Sequence, residues 1–443
     1  MSRPGVSGPC ARRLAQPVDL PQLHHARPTR FPYLLQSAAR HPQTGRYDIL
    51  LALAEPPCVP PPGRFFPALE AQWQRERSAH ATTTLPFGSG WFLYLGYGLA
   101  REVEPSLPAR LADPGADGLP IAFATRCRGA LIHDHLTGLH WAVAETAAQL
   151  QTLLEQVEPT PPAVAPPGRW QWRAPPPVPF LEAVARVREY LLAGDVFQAN
   201  LSHAWLGSGQ DPVPIGALYR ALAMANPAPF AASIYHEGTV LLSSSPERLL
   251  ALRAGRLETR PIAGTCPRSG DAAVDARAAR RLRASAKERA EHVMLVDMER
   301  NDLGRVCRPG SVRVAELMQL ERYAHVQHLV SSIVGELADG RGPVDAIRAV
   351  FPGGSITGCP KVRCMEIIDA LEAAPRGAYT GSCGYLDRSG QMDLNILIRT
   401  AWYRDNQLGF RTGSGIVADS KPRAELAETH HKAAGMLKAW PAC

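Results

Sequence analysis

Short apolar runs separated by polar turns dominate the first 157 residues of the chain. Their length and their aromatic and β-branched content favour buried strands over helices. Few side chains with catalytic chemistry accompany them, so this part is interpreted as scaffold. Strands are predicted at residues 33–37, 47–53, 90–96, 121–123, 129–133 and 139–144, and helices at residues 65–78 and 145–157.

From residue 179 onward helices and strands are mixed, and some strands carry polar residues at alternate positions. Because there is no regular βαβ repeat, the pattern predicts an α+β fold with packed antiparallel sheets. Helices are predicted at residues 179–193, 271–299, 344–350 and 421–438, with strands at residues 196–205, 239–243, 257–262, 381–385, 392–404 and 408–413.

Proline-rich segments divide the chain. Residues 1–30 are rich in Pro and Arg and are expected to form a loose leader. Residues 159–178 are expected to be a linker, because proline removes hydrogen-bond donors needed by helices and sheets. The predicted units are therefore an N-terminal region, 31–158, and a catalytic domain, 179–438.

Composition narrows the class of protein. With 443 residues, 45% apolar and 20% charged, the chain has the profile of a soluble globular protein. No apolar run reaches the length of a membrane span, and the start of the sequence lacks the apolar centre of a secretory signal. Nine cysteines without metal-site spacing indicate reduced thiols and a cytoplasmic protein. The net charge of +7 does not predict nucleic-acid binding, because the densest basic stretch, 276–289, lacks aromatic residues.

A glycine-rich turn runs into an amphipathic helix at Phe351–Ile368. Its glycines allow close approach of the backbone to a ligand, and Pro360 favours the start of a helix. With Lys361 and Arg363 nearby, the helix start is a candidate anion seat. A nucleotide loop is excluded, because Gly358 is followed by Cys-Pro rather than Lys-Ser/Thr. An ordinary loop before a core helix is the alternative.

Two helices each carry a Glu-x-x-Glu pair, Glu288 with Glu291 and Glu425 with Glu428. This spacing puts both carboxylates of a pair on one helical face. Four converging carboxylates suit a hard cation, most naturally Mg²⁺. The alternatives are solvated helix faces or a capping role, since Ser285 precedes Glu288 by three residues. A di-iron site is a further option, but it requires Glu-x-x-His spacing, and His292 follows Glu291 directly.

Several other polar residues stand where burial is expected. Glu247 follows Pro246 at a strand end, where desolvation would raise its pKa and suit it to general-acid work, although an ion pair with Arg248 fits equally well. His328 has apolar neighbours on both sides and is either a core histidine or an orienting group. Arg399 ends an apolar strand and needs a carboxylate partner, from the protein or from a ligand. These groups together predict a pocket for a small polycarboxylate that loses a hydroxyl group.

Seven segments in order resemble the chorismate-utilising enzymes. The resemblance is dense over 179–438 and thinner over 31–145, and it implies an α/β sandwich with two large packed antiparallel sheets flanked by helices. The segments are Ser244–Arg248, Thr259–Thr265, Ala290–Asp297, Arg300–Gly304, His328–Ser331, Phe351–Ile368 and Gly413–Ser420.

The resemblance also implies roles for individual residues. Glu291 and Glu428 are implied as direct Mg²⁺ ligands, and Glu288 and Glu425 as ligands through water. Glu247 is implied as the general acid for loss of the C4 hydroxyl, with His328 and Ser355 against the ring. The implied carboxylate-binding groups are Tyr379, Arg399, Gly413, Ser414, Gly415 and Lys432.

Members of the family differ in nucleophile and product. Relatives that use water place a lysine where this chain has Gln198, so the resemblance implies ammonia. It favours aminodeoxychorismate synthase component I, which makes 4-amino-4-deoxychorismate for folate, with a separate glutamine amidotransferase as partner. Many aminodeoxychorismate synthases carry a lysine at the position of Ala263, whereas anthranilate synthases have alanine there, as this chain does. Leu34–Ser37 differs at one residue from the tryptophan feedback motif. Anthranilate synthase and a non-catalytic chorismate-binding paralogue stay open as alternatives.

Overall fold

Strands and helices are interspersed along the whole computed structural model, which describes residues 9–39, 44–78, 84–157, 165–323 and 326–443. The strands are β1 (Cys10–Arg13), β2 (Tyr33–Gln36), β3 (Tyr47–Ala54), β4 (Gly90–Leu95), β5 (Ala122–Asp134), β6 (Leu139–Ala144), β7 (Trp170–Arg173), β8 (Gln198–Gly209), β9 (Phe230–His236), β10 (Thr239–Ser245), β11 (Arg248–Arg253), β12 (Arg256–Thr259), β13 (Ile262–Pro267), β14 (Arg313–Arg322), β15 (Val326–Glu336), β16 (Gly358–Cys359), β17 (Ser382–Asp387), β18 (Met392–Asn395), β19 (Thr400–Arg404) and β20 (Gln407–Ile416). The helices are α1 (Leu20–Ala26), α2 (Phe65–Glu76), α3 (Ala100–Val103), α4 (Ala147–Gln156), α5 (Pro177–Ala193), α6 (Ile215–Ala225), α7 (Ala272–Ala284), α8 (Ala286–Gly304), α9 (Pro343–Val350), α10 (Lys361–Leu371) and α11 (Pro422–Ala439).

Antiparallel pairing joins these strands into two halves of one hydrogen-bonded network. One half runs β7-β8-β20-β19-β10-β9-β2-β3-β5, and the other runs β4-β17-β18-β11-β12-β15-β14. Strand β5 links them, because its first part pairs with β4 and its second part pairs with β3 and β6. The residues predicted as two strands, 121–123 and 129–133, are therefore one long strand.

Apolar side chains form a core between the two halves and further cores beneath the helices. The inner core joins β2, β3 and β10 to β4 and β17, with Tyr33 stacked on Phe92 at 4.0 Å. Helices α2, α8 and α9 cover one half, and α1, α6 and α11 cover the other. The predicted α+β sandwich of two packed antiparallel sheets flanked by helices is confirmed.

The chain crosses between the halves at two adjacent places. Strand β10 leads into β11 through Pro246 and Glu247, and β18 leads into β19 through residues 396–399. The Ile396 amide donates to the Glu247 carbonyl at 3.0 Å, and the Ser244 amide donates to the Arg399 carbonyl at 3.0 Å. The two crossings therefore place the side chains of Glu247 and Arg399 at the same junction.

Two predicted elements are interrupted in the structure. The helix expected at 271–299 is split at Ser285, whose ψ of 114° is extended and whose hydroxyl accepts a 3.3 Å hydrogen bond from the Glu288 amide. Ser285 is therefore the N-cap of α8. The strand expected at 392–404 is broken by the second crossing, and Arg399 has a left-handed φ of +50°.

The expected loose leader is wrong for residues 10–26, which are built into the fold. Strand β1 pairs with β6, and α1 begins after Asp19, whose carboxylate accepts from the Gln22 amide at 2.9 Å. Leu20 and Leu23 of α1 are buried. Residues 1–8 lie outside the described residues.

The proline-rich segment also contributes regular structure. Trp170–Arg173 forms β7 on the edge of β8, and the Trp170 side chain is fully buried. Helix α5 begins at Pro177, inside the expected linker. Residues 159–164 of that segment lie outside the described residues. None of the helices that the structure describes is both long and apolar enough to cross a membrane.

Candidate functional site

Glu247 lies at the first crossing with only 6% of its surface exposed. Its carboxylate accepts a 2.7 Å hydrogen bond from the Ser355 hydroxyl. Burial raises the pKa of Glu247 to about 7, although the Ser355 bond, the Ile262 amide and the charges of Arg399 and Lys432 all act to lower it. The side chain can therefore hold and release a proton near neutral pH.

The glycine-rich turn positions Ser355 against Glu247. Residues Gly354–Ile356 form a 3₁₀ turn, and the chain then pairs with β8 through Gly358. Gly358 has a φ of +133°, and a Cβ at this position would lie 2.1 Å from the Gln198 carbonyl oxygen. Only glycine fits this backbone contact, which fixes the distance between the turn and β8.

The prediction that Lys361 and Arg363 at the start of α10 help to bind an anion is wrong, because both pair with protein carboxylates. Lys361 Nζ lies 2.5 Å from the Asp302 carboxylate and donates to the Val350 carbonyl at 3.0 Å. The Arg363 guanidinium pairs with Glu366 at 2.9 Å and with Asp195 at 3.0 Å. Protein carboxylates therefore already neutralise both side chains.

A second group of cationic and polar side chains faces the crossings. Burial lowers the pKa of Arg399, and the charge of Glu247 opposes this effect. Lys432 Nζ donates to the Gly413 carbonyl at 2.9 Å and pairs with Glu428 at 2.8 Å. A Cβ at Gly413 would lie 2.7 Å from Tyr379 Oη, so this glycine keeps the space beside the tyrosine open.

The four glutamates of the two Glu-x-x-Glu pairs lie on α8 and α11, and two of them contact β20 or its neighbour β8. Glu425 accepts a hydrogen bond from the Ser414 hydroxyl, and Glu291 accepts one from Gln198 Nε2 at 3.3 Å. Burial raises the pKa of Glu291, and the nearby charges of Glu288 and Glu428 raise it further. Within the described ranges, no three of these carboxylates bring oxygens within 4.8 Å of one another.

His328 lies near Thr265 and Arg399, and Ala263 lies against α8. His328 Nδ1 shares a 2.8 Å hydrogen bond with Thr265 Oγ1. Burial, with a smaller contribution from Arg399, lowers the pKa of His328 to about 3. The imidazole is therefore neutral at pH 7 and suited to orient a ligand rather than to carry charge. Ala263 is buried, and its carbonyl accepts from His292 Nδ1 at 3.5 Å.

These interactions connect many of the predicted site residues. The charges of Arg399 and Lys432 act on Glu247, and Lys432 donates a hydrogen bond to the Gly413 carbonyl. A Cβ at Gly415 would meet Gln198 at 2.5 Å, and a Cβ at Gly264 would meet Glu288 at 2.9 Å. The structure therefore brings the residues together, and their individual roles stay predictions.

Sequence reasoning missed a buried acid pair beside this site. Glu299 accepts a 2.9 Å hydrogen bond from the Thr259 hydroxyl, and Asp302 binds Lys361. Burial, then the charge of Asp302, raises the pKa of Glu299 to about 7, and Glu247 adds to the shift. The only sequence signal was the i, i+3 spacing of two acids on α8, which is common on solvated helices.

Asn200 of β8 was also missed. Its Oδ1 atom is buried without a hydrogen-bond partner among the described residues. A Cβ at Gly413 would lie 2.9 Å from it. A buried acceptor of this kind is costly unless a ligand or water satisfies it, so Asn200 belongs to the candidate site.

Known proteins resemble this chain in both sequence and fold. The profile of the family described as chorismate binding enzyme matches residues 61–438. The anthranilate synthase component I-like protein of Synechocystis is 38% identical over 411 residues, which are 90% of this chain and 84% of that protein. Aminodeoxychorismate synthase component 1 of Bacillus subtilis is 47% identical over 261 residues, which are 59% of this chain and 55% of that protein. The structure of anthranilate synthase component I from Streptococcus pneumoniae superposes with a TM-score of 0.76 at 28% identity, covering 90% of this chain and 93% of that one.

Proposed function

Because the chain belongs to the chorismate binding enzyme family, we propose that it aminates chorismate to 4-amino-4-deoxychorismate for p-aminobenzoate and folate biosynthesis. The observation that carries this proposal is Glu247, a buried carboxyl whose pKa of about 7 lets it be protonated at neutral pH. Such a group can donate its proton to the C4 hydroxyl as that hydroxyl leaves the ring.

Chorismate is a dicarboxylate, and the site offers cationic and polar partners for it. We assign carboxylate binding to Arg399, Lys432 and Tyr379, with the backbone at 413–415. Arg399 and Lys432 contribute positive charge at Glu247. Since the pKa of His328 is lowered to about 3, its neutral imidazole would contact the ring together with Ser355.

The four glutamates suit a hard divalent cation, and we propose Mg²⁺. Glu291 and Glu428 would bind it directly, and Glu288 and Glu425 through water. All the ligand atoms offered are oxygens, which Mg²⁺ prefers. Burial and then repulsion from Glu288 and Glu428 raise the pKa of Glu291, and a bound cation would relieve that repulsion. The ion would supply charge stabilisation for the ring carboxylate of chorismate.

The proposed nucleophile is ammonia from the glutamine of a partner amidotransferase. Gln198, rather than a lysine that could activate water, lies beside Glu291 at 3.3 Å. Ala263 has no amine to form a covalent adduct with the ring. Ammonia would therefore add directly.

A second candidate is the ortho reaction, in which chorismate and ammonia give anthranilate and pyruvate. Two observations favour it. Ala263 matches the anthranilate synthase form of its motif, and the relative that aligns with 90% of this chain is named as an anthranilate synthase component I-like protein. We favour the 4-amino product because Gln36 of β2 departs from the feedback motif and because the Bacillus aminodeoxychorismate synthase is 47% identical.

One assay separates these reactions. The purified chain is incubated with chorismate, Mg²⁺ and ammonium chloride, and products are resolved by chromatography and mass spectrometry, with and without added aminodeoxychorismate lyase. The proposal expects a product that gives p-aminobenzoate only when lyase is present. Fluorescent anthranilate with pyruvate, without lyase, would replace it by the second candidate. Unchanged chorismate despite measurable binding would favour a non-catalytic paralogue.

A further inference from the structure

Two imidazoles and one carboxylate meet at β3 and the end of β5, which contribute none of the candidate site residues. Asp48 of β3 and His133 of β5 are paired directly across the antiparallel ladder. His135 lies in the turn that follows β5, and its ring is 4.1 Å from that of His133 between centroids. The three lie in the N-terminal region, where the sequence offered no metal-site spacing.

The ligand atoms are at distances close to those of a metal site. His135 Nε2 lies 2.9 Å from Asp48 Oδ1, and His133 Nδ1 lies 3.9 Å from Asp48 Oδ2. All three ligand atoms fall within 4.8 Å of one another. Ligands of a tetrahedral zinc ion are about 3.4 Å apart, given metal bonds of about 2.1 Å. The observed separations bracket that value.

Neighbouring contacts hold these ligands in place. The Ser37 amide donates to Asp48 Oδ1 at 2.8 Å, and the His135 amide donates to the Arg46 carbonyl at 2.9 Å. The ring of His140 stacks on that of His133 with centroids 4.1 Å apart and planes at 11°. The cluster is therefore fixed by backbone and ring contacts before any ion arrives.

The side chain of His135 gives an independent indication of a ligand. It is only 10% exposed, and neither of its ring nitrogens makes a hydrogen bond of acceptable geometry within the described residues. A buried imidazole without hydrogen bonds is costly, and an ion bound between it and Asp48 would remove that cost. His133 is 22% exposed, which leaves one side of the cluster open to water.

We propose that Asp48, His133 and His135 bind one divalent transition-metal ion such as Zn²⁺, with water in the remaining position. Two imidazoles with one carboxylate suit Zn²⁺ or Co²⁺, whereas Mg²⁺ prefers oxygen ligands. The ion would tie β3 to the end of β5.

The test uses the full chain, stripped with a chelator and titrated with Co²⁺ in the presence of excess Mg²⁺, which competes at carboxylate sites. We expect about one Co²⁺ per chain, with visible absorption bands of imidazole-bound Co²⁺. Asp48→Asn and His135→Gln should each lose the bands, with far-ultraviolet circular dichroism confirming that the variants fold. His431→Gln, an exposed histidine on α11, and Glu291→Gln should both retain them.

A second measurement needs no variant. Zn²⁺ should protect His133 and His135 of the unaltered chain from diethyl pyrocarbonate, as read by peptide mass spectrometry, while His431 stays reactive. Absence of Co²⁺ uptake, equal uptake by the His135→Gln chain, or unchanged modification of both histidines would overturn the proposal. Since Glu291→Gln is expected to keep the bands, failure here is distinguishable from failure of the amination proposal.

Discussion

At the scale of single residues, the balance of charge and burial around Glu247 decides the chemistry of the site. Two cations, Arg399 and Lys432, act to lower its pKa, and so does the hydrogen bond from Ser355. Each opposite charge can shift a carboxyl by one to three units, whereas full burial can shift it by about 3–5 units in the other direction. Burial has the largest effect here, and it raises the pKa of Glu247 to about 7.

Replacing Glu247 by glutamine removes the proton donor while keeping the shape of the side chain. We expect kcat for chorismate consumption to fall by about 10²–10⁴-fold, the usual contribution of general acid catalysis. Chorismate affinity, measured by calorimetry, should change far less. The matched control is Glu237→Gln on the β9–β10 turn, where the glutamate side chain is 83% exposed, and it should leave kcat unchanged. An E247Q chain with full activity would remove Glu247 from the mechanism.

Ser355 tunes the acid that Glu247 provides. The acid form is needed for proton donation, so kcat/KM should fall as pH rises through about 7, where half of the carboxyls are ionised. The Ser355 hydroxyl lowers this pKa. Ser355→Ala should therefore move the falling limb of the pH profile to higher pH. Ser208→Ala, at an exposed position of β8, should not move it, and an unshifted limb in S355A would contradict the coupling.

At the scale of elements, the glycine-rich turn and its helix could be predicted from sequence, because turn residues and helical periodicity are local signals. The break at Ser285 is also a local signal, a cap on Glu288 that the spacing offered only as an alternative. The break at Arg399 could not be predicted, because it depends on a tertiary contact. Arg399 lies in an apolar run that favours one strand, yet its carbonyl binds the Ser244 amide where the chain crosses between sheets. The prediction of an anion site at Lys361 was wrong for a similar reason, since Asp302, which pairs with Lys361, is 59 residues away in sequence.

Gly358 is the position where the glycine-rich turn lies closest to the backbone of β8. Gly358→Ala adds a methyl group 2.1 Å from a backbone oxygen at a φ of +133°. We expect a loss of about 3 kcal/mol, combining backbone strain with displacement of β8. At ~2.1 cal/mol/K per residue, the 443-residue chain should then unfold about 3 °C lower.

Differential scanning calorimetry provides this measurement. Gly304→Ala, at the end of α8 with open space around its Cβ position, is the matched control. Its unfolding temperature should change by less than about 1 °C, because alanine is favoured over glycine in a helix. Equal shifts for the two variants would contradict the steric argument at Gly358.

At the scale of the whole molecule, residues 10–26 pack into the same fold as the elements that carry the candidate site. Composition predicted a loose leader, because Leu20 and Leu23 are surrounded by proline and arginine and form no long periodic pattern. Leu23 of α1 is 1% exposed and packs in the core that also holds Leu222 of α6 and Met436 of α11. Such a long-range contact leaves no trace in local sequence, which is why the leader was misassigned.

Leu23→Ala tests this packing. Truncating a fully buried leucine costs about 2–4 kcal/mol, so the unfolding temperature should fall by about 2–4 °C on the same entropy scale. Leu192→Ala, at the end of α5 where the leucine is 77% exposed, is the control and should shift it by less than about 1 °C. A Leu23→Ala chain as stable as the control would show that α1 is dispensable to the core.

The proposed ligands should in turn stabilise the whole molecule, because the site gathers side chains from α8, α11, β20 and both sheet crossings. At one hundred times its dissociation constant, a ligand that binds only the folded chain adds about 2.7 kcal/mol. For 443 residues this corresponds to about 3 °C. Mg²⁺ and chorismate together should raise the unfolding temperature by this amount, and Glu291→Gln should abolish the increase. Glu336→Gln, whose glutamate is 66% exposed at the end of β15, should keep it. If the unfolding temperature of Glu291→Gln rises as much as that of Glu336→Gln, the four glutamates of α8 and α11 do not bind the cation. Protonation of Glu291 must then relieve the repulsion among them.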